Sequence, residues 1–484
     1  MTAVQAAIRR VVCTMPPDYR SYKDYRESSP SAATSPRQRV ESVRGRGGRA
    51  AGQRYTGGMA QGRFNRRVWA WALYDWANSA YATTVMAGFF PVFFKEYWSA
   101  GVPAGQSSFH LGLTNSFASL VIVLLAPLLG AIADRGRSRK RFLAIGAGIG
   151  IAATGGLFFL GLGAWKAAAV LYTVATIGFS ASLIFYDSLI VSVAGEGRFD
   201  TVSALGFSLG YLGGGILLGL NVLMTAFPAW FGFEGIAEAV RFSFVTVAVW
   251  WLVFSLPLFR WVEEPPCATT VVHGLSMVRA GFRQLVGTFR EVRRVRMAFL
   301  FLLAYWCYID GVDTVVRMAV DYGLALGFGS QDLLLALLLT QLVGFPAAVV
   351  FGRLGERHGP KRGIYIGLAV YVGVVFYASQ MESVIEFYAL AVAVGLVQGG
   401  VQALSRSLYA RLIPPEKSGE FFGFFNMLGK FAAVIGPVMV GWTSAVTGEP
   451  RLSLLTLLLL FGIGALVLTR VDVEQGQRAV GRGG

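Results

Sequence analysis

The chain has 484 residues, a formal net charge of +16 and a mean hydropathy of +0.56. Hydrophobic residues make up 55% and charged residues 14%, a balance that excludes an ordinary soluble globular protein. Nucleic-acid binding needs basic residues gathered on one soluble face, whereas here they stand at the ends of apolar runs. Composition therefore indicates a membrane protein.

The amino-terminal segment, residues 1–67, is rich in Arg, Ser, Gly and Pro and lacks an apolar run, which predicts a disordered basic extension. No signal-peptide pattern is visible, so we expect the first span to start insertion. Met59 stands just before that span, and one hypothesis is that it is the true translation start.

From Val68 onward, about twelve apolar runs are long enough to cross roughly 30 Å of hydrocarbon. They predict an all-α polytopic membrane protein with a six-helix half over 68–260 and a second over 297–470, followed by a short tail, 471–484. The spans are placed near 68–95, 109–133, 141–163, 167–194, 201–226, 239–260, 297–321, 331–354, 362–380, 384–411, 420–446 and 451–470.

Residues 261–296 separate the two halves and predict a linker with an amphipathic helix. Leu275, Val278, Phe282 and Leu285 recur at helical spacing among several arginines, a pattern typical of a helix lying on an anionic leaflet. Alternate loops differ strongly in Lys and Arg content. The positive-inside rule then predicts that both termini are cytoplasmic. We expect the protein to lie in the plasma (inner) membrane of a prokaryote.

The two halves carry matching motifs. The first span contains Asp75-x-x-Asn78-Ser79, and the seventh contains Asp310-x-x-Asp313-Thr314. The loop after the second span contains Asp134-Arg135 with Arg137, and the loop after the eighth contains Glu356-Arg357. Agreement at corresponding places predicts an internal repeat, a common architecture of secondary transporters.

The acid-arginine-glycine-basic loop resembles the signature of the major facilitator superfamily, better kept in the second copy because Gly136 falls one place early in the first. Other segments resemble the vacuole-effluxer-like family, relatives of the fungal autophagy-related amino-acid effluxers. They are YDWANSAYATTV (74–85), FYDSLI (185–190), SALGFSLGYLGGG (203–215), YIDGVDT (308–314) and QALSRSLYARLIPPEKSGEFFGFFNMLGKFAAVIGP (402–437). The resemblance implies the superfamily fold and an efflux or uptake role.

Ionisable groups inside spans cost roughly 2.5–3.5 kcal/mol each, so they persist where they are paired, face a cavity or serve a function. Helical spacing gathers the polar groups of the first, seventh and tenth spans on one face of each helix. We predict that they line a substrate or ion path together with groups of the fourth and eleventh spans. The set is Asp75, Asn78, Ser79, Asp187, Asp310, Asp313, Arg317, Gln398, Gln402, Arg406, Asn426 and Lys430.

The alternative for any single residue is a structural ion pair, such as Asp313 with Arg317. As transport groups, Asp75 or Asp310 can take up a proton if burial disfavours its charged form, and Arg406 or Lys430 can hold a substrate carboxylate. We interpret five loop residues as conformational latches: Asp134, Arg135, Arg137, Glu356 and Arg357.

The sequence predicts a secondary active transporter of a small polar solute, with amino acids as candidates, working by alternating access. Its expected partners are that solute, H⁺ or another coupling ion, and the bilayer. Scattered cysteines and histidines predict no metal or cofactor, and the missing G-x-x-x-x-G-K-[ST] loop argues against direct use of ATP. A lipid scramblase or a membrane-embedded enzyme is the alternative.

Overall fold

The computed structural model describes residues 64–133, 139–195, 197–264, 290–447 and 450–481. The extension up to residue 63, Met59 and most of the linker with its predicted amphipathic helix lie outside these ranges. The loop that carries Asp134, Arg135 and Arg137 lies outside them too.

Six long helical segments form the first half. The first, α1, begins with an α-helix over Arg66–Ala80, capped by the Asn65 side chain, and continues through π-helical turns over Tyr81–Phe89 to Trp98. The others are α2 (Ala104–Ala133), α3 (Arg139–Gly156), α4 (Trp165–Ser188, continued by Ile190–Val193), α5 (Phe199–Ala226) and α6 (Ile236–Trp261).

Six more segments form the second half, and a short helix follows them. They are α7 (Arg296–Ala325), α8 (Ser330–His358), α9 (Pro360–Ala378), α10 (Val384–Leu412), α11 (Ser418–Thr447), α12 (Pro450–Leu454 and Leu457–Thr469) and α13 (Val473–Ala479).

Length and apolar composition explain why these segments suit a bilayer. Among the described residues, nine helices are long and apolar enough to cross a membrane. The helix is the natural form there, because lipid offers no partner to an unpaired backbone group. The segments α1, α11 and α12 complete the predicted set, with α12 interrupted after Leu454. The predicted all-α fold of about twelve spans is therefore confirmed.

Glycine allows the closest helix crossings. Where α3 crosses α4, a Cβ added at Gly178 would lie 2.6 Å from both the carbonyl oxygen of Gly146 and the amide nitrogen of Gly150. Both neighbours are backbone atoms, so no change of side-chain rotamer could relieve the clash. Helices pack in membranes through such small residues, because lipid gives little hydrophobic drive for association.

Contacts between the halves run through two pairs of helices, α2 with α11 and α5 with α8. A Cβ added at Gly130 of α2 would lie 3.0 Å from the Cα of Gly423 on α11. The helices α10 and α11 also contact α5 and α4, respectively. The cavity between the halves is lined by α1, α4, α5 and the six helices α7 to α12.

The α3–α4 crossing gives a first prediction. Gly178→Ala should lower the melting temperature of the purified protein, since overpacking a tight crossing costs about 1–3 kcal/mol. Gly148→Ala is the matched control, because a Cβ there meets nothing within 4 Å. Equal melting temperatures for the two variants would show that the crossing does not limit stability.

Candidate functional site

A cavity of about 480 Å³ lies between the two halves. It extends from α1, α4 and α10 toward the loops that join α7 to α8 and α9 to α10, where Tyr322, Met381 and Phe387 lie on its wall. Most of the predicted path residues also line it: Asp75, Asn78, Ser79, Asp187, Asp313, Gln398, Gln402, Arg406, Asn426 and Lys430.

Arg406 is the centre of a buried charge cluster at one end of this cavity. The residue is 3% exposed, and its Nη2 and Nη1 atoms lie 3.2 Å from Asp75 Oδ2 and 3.2 Å from Asp187 Oδ1. Its Nε donates to Ser203 Oγ at 2.9 Å, and Nη2 donates to the Ser203 carbonyl at 2.9 Å. One side chain of the second half therefore contacts α1, α4 and α5 of the first half.

Each carboxylate of the cluster has a further donor. The Tyr186 hydroxyl donates to Asp75 Oδ2 at 2.8 Å, and Asn426 Nδ2 donates to Asp187 Oδ2 at 3.0 Å. Charge-assisted hydrogen bonds of this kind offset part of the cost of removing ions from water. With both aspartates ionised, these two carboxylates exceed the charge of the one guanidinium they contact.

Aromatic rings enclose the guanidinium. Its carbon Cζ lies 4.3 Å from the centre of the Phe207 ring and 4.8 Å from that of Trp71. Trp71 stacks on Tyr186 with ring centres 4.5 Å apart and donates from Nε1 to the Tyr186 carbonyl at 3.1 Å. Arginine suits this position because its flat guanidinium can stack on rings while donating hydrogen bonds in its own plane.

The glycines of α5 face the polar side of α1. A Cβ added at Gly210 would lie 2.6 Å from Ser79 Oγ, and one at Gly214 would lie 3.0 Å from Thr83 Oγ1. One turn away, a Cβ at Gly206 would overlap the carboxylate of Asp75 and stand 2.9 Å from Arg406 Nη2. The glycines of α5 thus leave the space that the charge cluster occupies.

Asp310 lies beside the cavity rather than on its wall. The residue is 1% exposed, and its Oδ1 accepts a hydrogen bond from the Gly436 amide of α11 at 2.9 Å. Thr314 Oγ1 also donates to it, at 3.4 Å. The sequence placed both Asp310 and Asp313 on the path. Asp313 lies on the cavity wall and Asp310 does not, and the transport roles of both stay predictions.

The remaining predicted residues lie elsewhere or are not described. Glu356 and Arg357 are exposed at the end of α8, away from the cavity wall. The side chain of Arg317 lies outside the described part, as do the loop residues Asp134, Arg135 and Arg137. Their predicted roles stay predictions.

Sequence reasoning missed a second buried ion pair. Asp200, at the start of α5, is fully buried and accepts a hydrogen bond from Arg411 Nη2 of α10 at 2.6 Å. Ser407 donates to the same carboxylate. Asp200 drew no attention in the sequence because an acid in the first turn of a helix is common. The clue in the sequence was the cluster of Arg406, Ser407 and Arg411 near the end of the tenth span, which needs an acidic partner.

More links between the halves lie on the same side of the cluster. Arg139 Nη1 donates to Ser418 Oγ at 2.9 Å, so the start of α3 meets the start of α11. The Ser418 hydroxyl donates to the Ser188 carbonyl of α4 at 3.3 Å. The two halves are thus in direct contact beyond Arg406, on the predicted cytoplasmic side.

No group of three or more His, Cys, Asp or Glu residues suited to a metal ion occurs in the part of the chain that the structure describes. The chemistry that the cavity offers is charge pairing and hydrogen bonding.

Comparison with protein families decides the family. The model described as vacuole effluxer Atg22-like matches residues 99–196 and 193–481. The chain belongs to this family. It is 39% identical over 424 residues to the MFS-type transporter YxiO of Bacillus subtilis. That alignment covers 86% of this chain and 98% of the relative.

Fungal members are more distant. Autophagy-related protein 22 of Yarrowia lipolytica is 27% identical over 310 residues, covering 57% of this chain. The chain spans about half the length of this fungal relative, 51%.

Solved structures support the same fold. The human organic anion transporter MFSD10 aligns with a TM-score of 0.62 at 16% identity, covering 83% of this chain and 99% of that one. A bacterial homologue of the iron transporter ferroportin in an outward-facing state aligns with a TM-score of 0.59 at 17% identity, covering 84% and 98%. This member of the effluxer family is therefore a multi-pass membrane protein with the major facilitator fold. Its general class is that of MFS-type transporters.

The charge cluster gives a second prediction. Arg406→Gln should lower the melting temperature strongly, because removing one partner of a buried pair costs about 3–5 kcal/mol. Adding Asp75→Asn and Asp187→Asn should restore part of the loss, since the uncompensated charges disappear. Arg353→Gln, which removes an exposed arginine of α8, is the control and should change little. No recovery in the triple variant would contradict a charge-pairing role.

Proposed function

We propose that this protein is a secondary active transporter that moves a small polar solute, with amino acids as the substrate class, by alternating access. The observation that carries the proposal is the contact of Arg406 with Asp75 and Asp187 at the end of a cavity between the two halves. Membership of a family that includes an MFS-type transporter supports the general role.

The cavity chemistry favours a zwitterion. Arginine binds a carboxylate through two parallel hydrogen bonds, and a pair of aspartates suits an ammonium group. In the present state Arg406 donates to Asp75, Asp187 and Ser203, so we infer that a substrate replaces some of these bonds. Asn78, Gln398 and Gln402 add uncharged polar groups to the wall, and Lys430 adds a cation. A cavity of about 480 Å³ also lies in the usual range for small-molecule sites.

The contacts between the halves support alternating access. Asp200 with Arg411 and Arg139 with Ser418 join the halves on the predicted cytoplasmic side, while the cavity extends toward the opposite side. We infer that an inward-open state separates these contacts together with the Arg406 bridge. We further propose that both termini are cytoplasmic and that the protein lies in the plasma membrane of a prokaryote.

Charge balance makes a proton a candidate coupling ion. The cluster holds two carboxylates against one guanidinium, in a site that little water reaches. Uptake of one proton would remove the surplus negative charge and weaken the hold of the first half on Arg406. We therefore propose that Asp187 or Asp75 carries the coupling proton.

Transport in proteoliposomes tests the substrate site. Mixed labelled amino acids should accumulate with the wild-type protein. Arg406→Lys should weaken the apparent affinity about tenfold or more, because hydrogen bonds to charged groups contribute about 1.5–3 kcal/mol. Asp75→Asn should also weaken the apparent affinity, because it removes one of the two carboxylates that suit the ammonium group.

The matched control is Asp310→Asn. Asparagine keeps an oxygen that can accept from the Gly436 amide, and position 310 is off the cavity wall. It should therefore leave the affinity unchanged. Equal losses in Asp75→Asn and Asp310→Asn would remove the cavity from the mechanism, and gradient-free movement of fluorescent lipids would favour a scramblase.

A separate experiment tests proton coupling. Asp187→Asn keeps the shape of the side chain but cannot bind and release a proton. We expect it to lose uptake driven by a pH gradient while retaining exchange of labelled for unlabelled substrate. Retention of both activities would exclude Asp187 as the coupling group, and the same pair of assays on Asp75→Asn would then decide the alternative.

A further inference from the structure

A second pocket, of about 740 Å³, lies away from the transport cavity at the ends of α1, α3 and α6. Four of its residues are cations and two are acids, so its lining carries a surplus of positive charge. The residues are Arg66, Arg67, Lys140, Arg260, Trp261, Val262, Glu263 and Glu264. They lie at the ends of α1, α3 and α6 and just after α6, on the predicted cytoplasmic side.

Each acid of the pocket contacts a basic residue through one oxygen, and Glu264 Oε2 is buried without a hydrogen-bond partner. Glu263 pairs with Arg67 at 2.6 Å, and Glu264 Oε1 accepts from the Lys140 amide at 3.0 Å, at the start of α3. Lys140 Nζ donates to the carbonyls of Phe259 and Val262 at 2.7 and 2.8 Å. These contacts hold the pocket in shape and fix the ammonium at the end of α6.

The two remaining arginines are exposed to an incoming ligand. The Arg66 guanidinium lies 3.9 Å from the centre of the Trp261 ring, a contact that uses its face and leaves its edge for hydrogen bonds. Arg260 is exposed in the last turn of α6. Guanidinium groups bind phosphate oxygens through two parallel hydrogen bonds. The chemistry therefore suits a phosphate ester.

The surface next to the pocket distinguishes a lipid from a soluble phosphate. Leu252 and Leu256 stand two turns and one turn before Arg260 on the same face of α6 and are 51% and 56% exposed. Neighbouring Val253 is 48% exposed. An apolar strip thus leads from the mid-membrane part of α6 directly to the basic pocket, and Trp261 lies where tryptophan marks the membrane interface.

We propose that this pocket binds the head group of an anionic phospholipid, with its acyl chains along the exposed face of α6. Basic pockets between spans on the cytoplasmic side are suited to such head groups. Arg66 and Arg260 hold the phosphate, Trp261 orients Arg66, and Lys140 adds charge from α3. The bound lipid connects α1, α3 and α6 at one end of the first half.

Native mass spectrometry of the delipidated, detergent-purified full chain tests this assignment. The probes are dioleoylphosphatidylglycerol, dioleoylphosphatidylcholine and glycerol-1-phosphate. We expect the phosphatidylglycerol to bind well above the phosphatidylcholine and the free head group. Arg66→Ala with Arg260→Ala should weaken its binding roughly 25-fold, at about 1 kcal/mol for each cation removed.

Two further variants keep the test independent of folding damage. Arg362→Ala with Arg470→Ala removes two exposed arginines from the second half on the same predicted side and should leave binding unchanged. Glu263→Gln removes an acid of the pocket and should strengthen binding, which an unfolded variant cannot mimic. Equal binding by the Arg66/Arg260 variant would overturn the site. Glycerol-1-phosphate binding as tightly as the lipid would overturn the lipid assignment.

Discussion

The contact between Arg406 and two aspartates is the constraint around which the bundle is arranged. A guanidinium that is 3% exposed must be paired, because leaving a charge unpaired in a dry interior costs several kcal/mol. Its partners come from α1, α4 and α5. Burial of this one arginine therefore fixes the distance of α10, in the second half, from three helices of the first half. The same three side chains, Arg406 and the two aspartates, lie on the wall of the cavity between the halves.

The fold was predictable because the membrane restricts the choices. Apolar runs of spanning length must be helices, and their number follows from the sequence. Charged residues inside spans, such as Asp75, Asp187 and Arg406, were visible because they are costly there and therefore rare.

The pairing of those charges was not predictable. Arg406 and Asp75 are 331 residues apart, and no helical period connects them. Asp310 and Asp313 share a helix face in the sequence, but a modest rotation of α7 about its axis decides which one reaches the cavity. Asp200 was missed because an acid in the first turn of a helix is ordinary, and only its burial against Arg411 makes it unusual. The matching motifs of the two halves also differ in use: Asp75 contacts a guanidinium, whereas Asp310 contacts a backbone amide.

The glycines of α5 have a mechanical consequence. Gly206, Gly210 and Gly214 lie against Asp75, Ser79 and Thr83, so α1 and α5 touch backbone to side chain over two turns. Two helices this close cannot slide past one another without collision, and they move as one piece. Relative motion of the halves then occurs where α5 meets α8 and α10 and where α11 meets α2 and α4. A force that separates the halves there acts on the Arg406 bridge together with the Asp200–Arg411 and Arg139–Ser418 contacts.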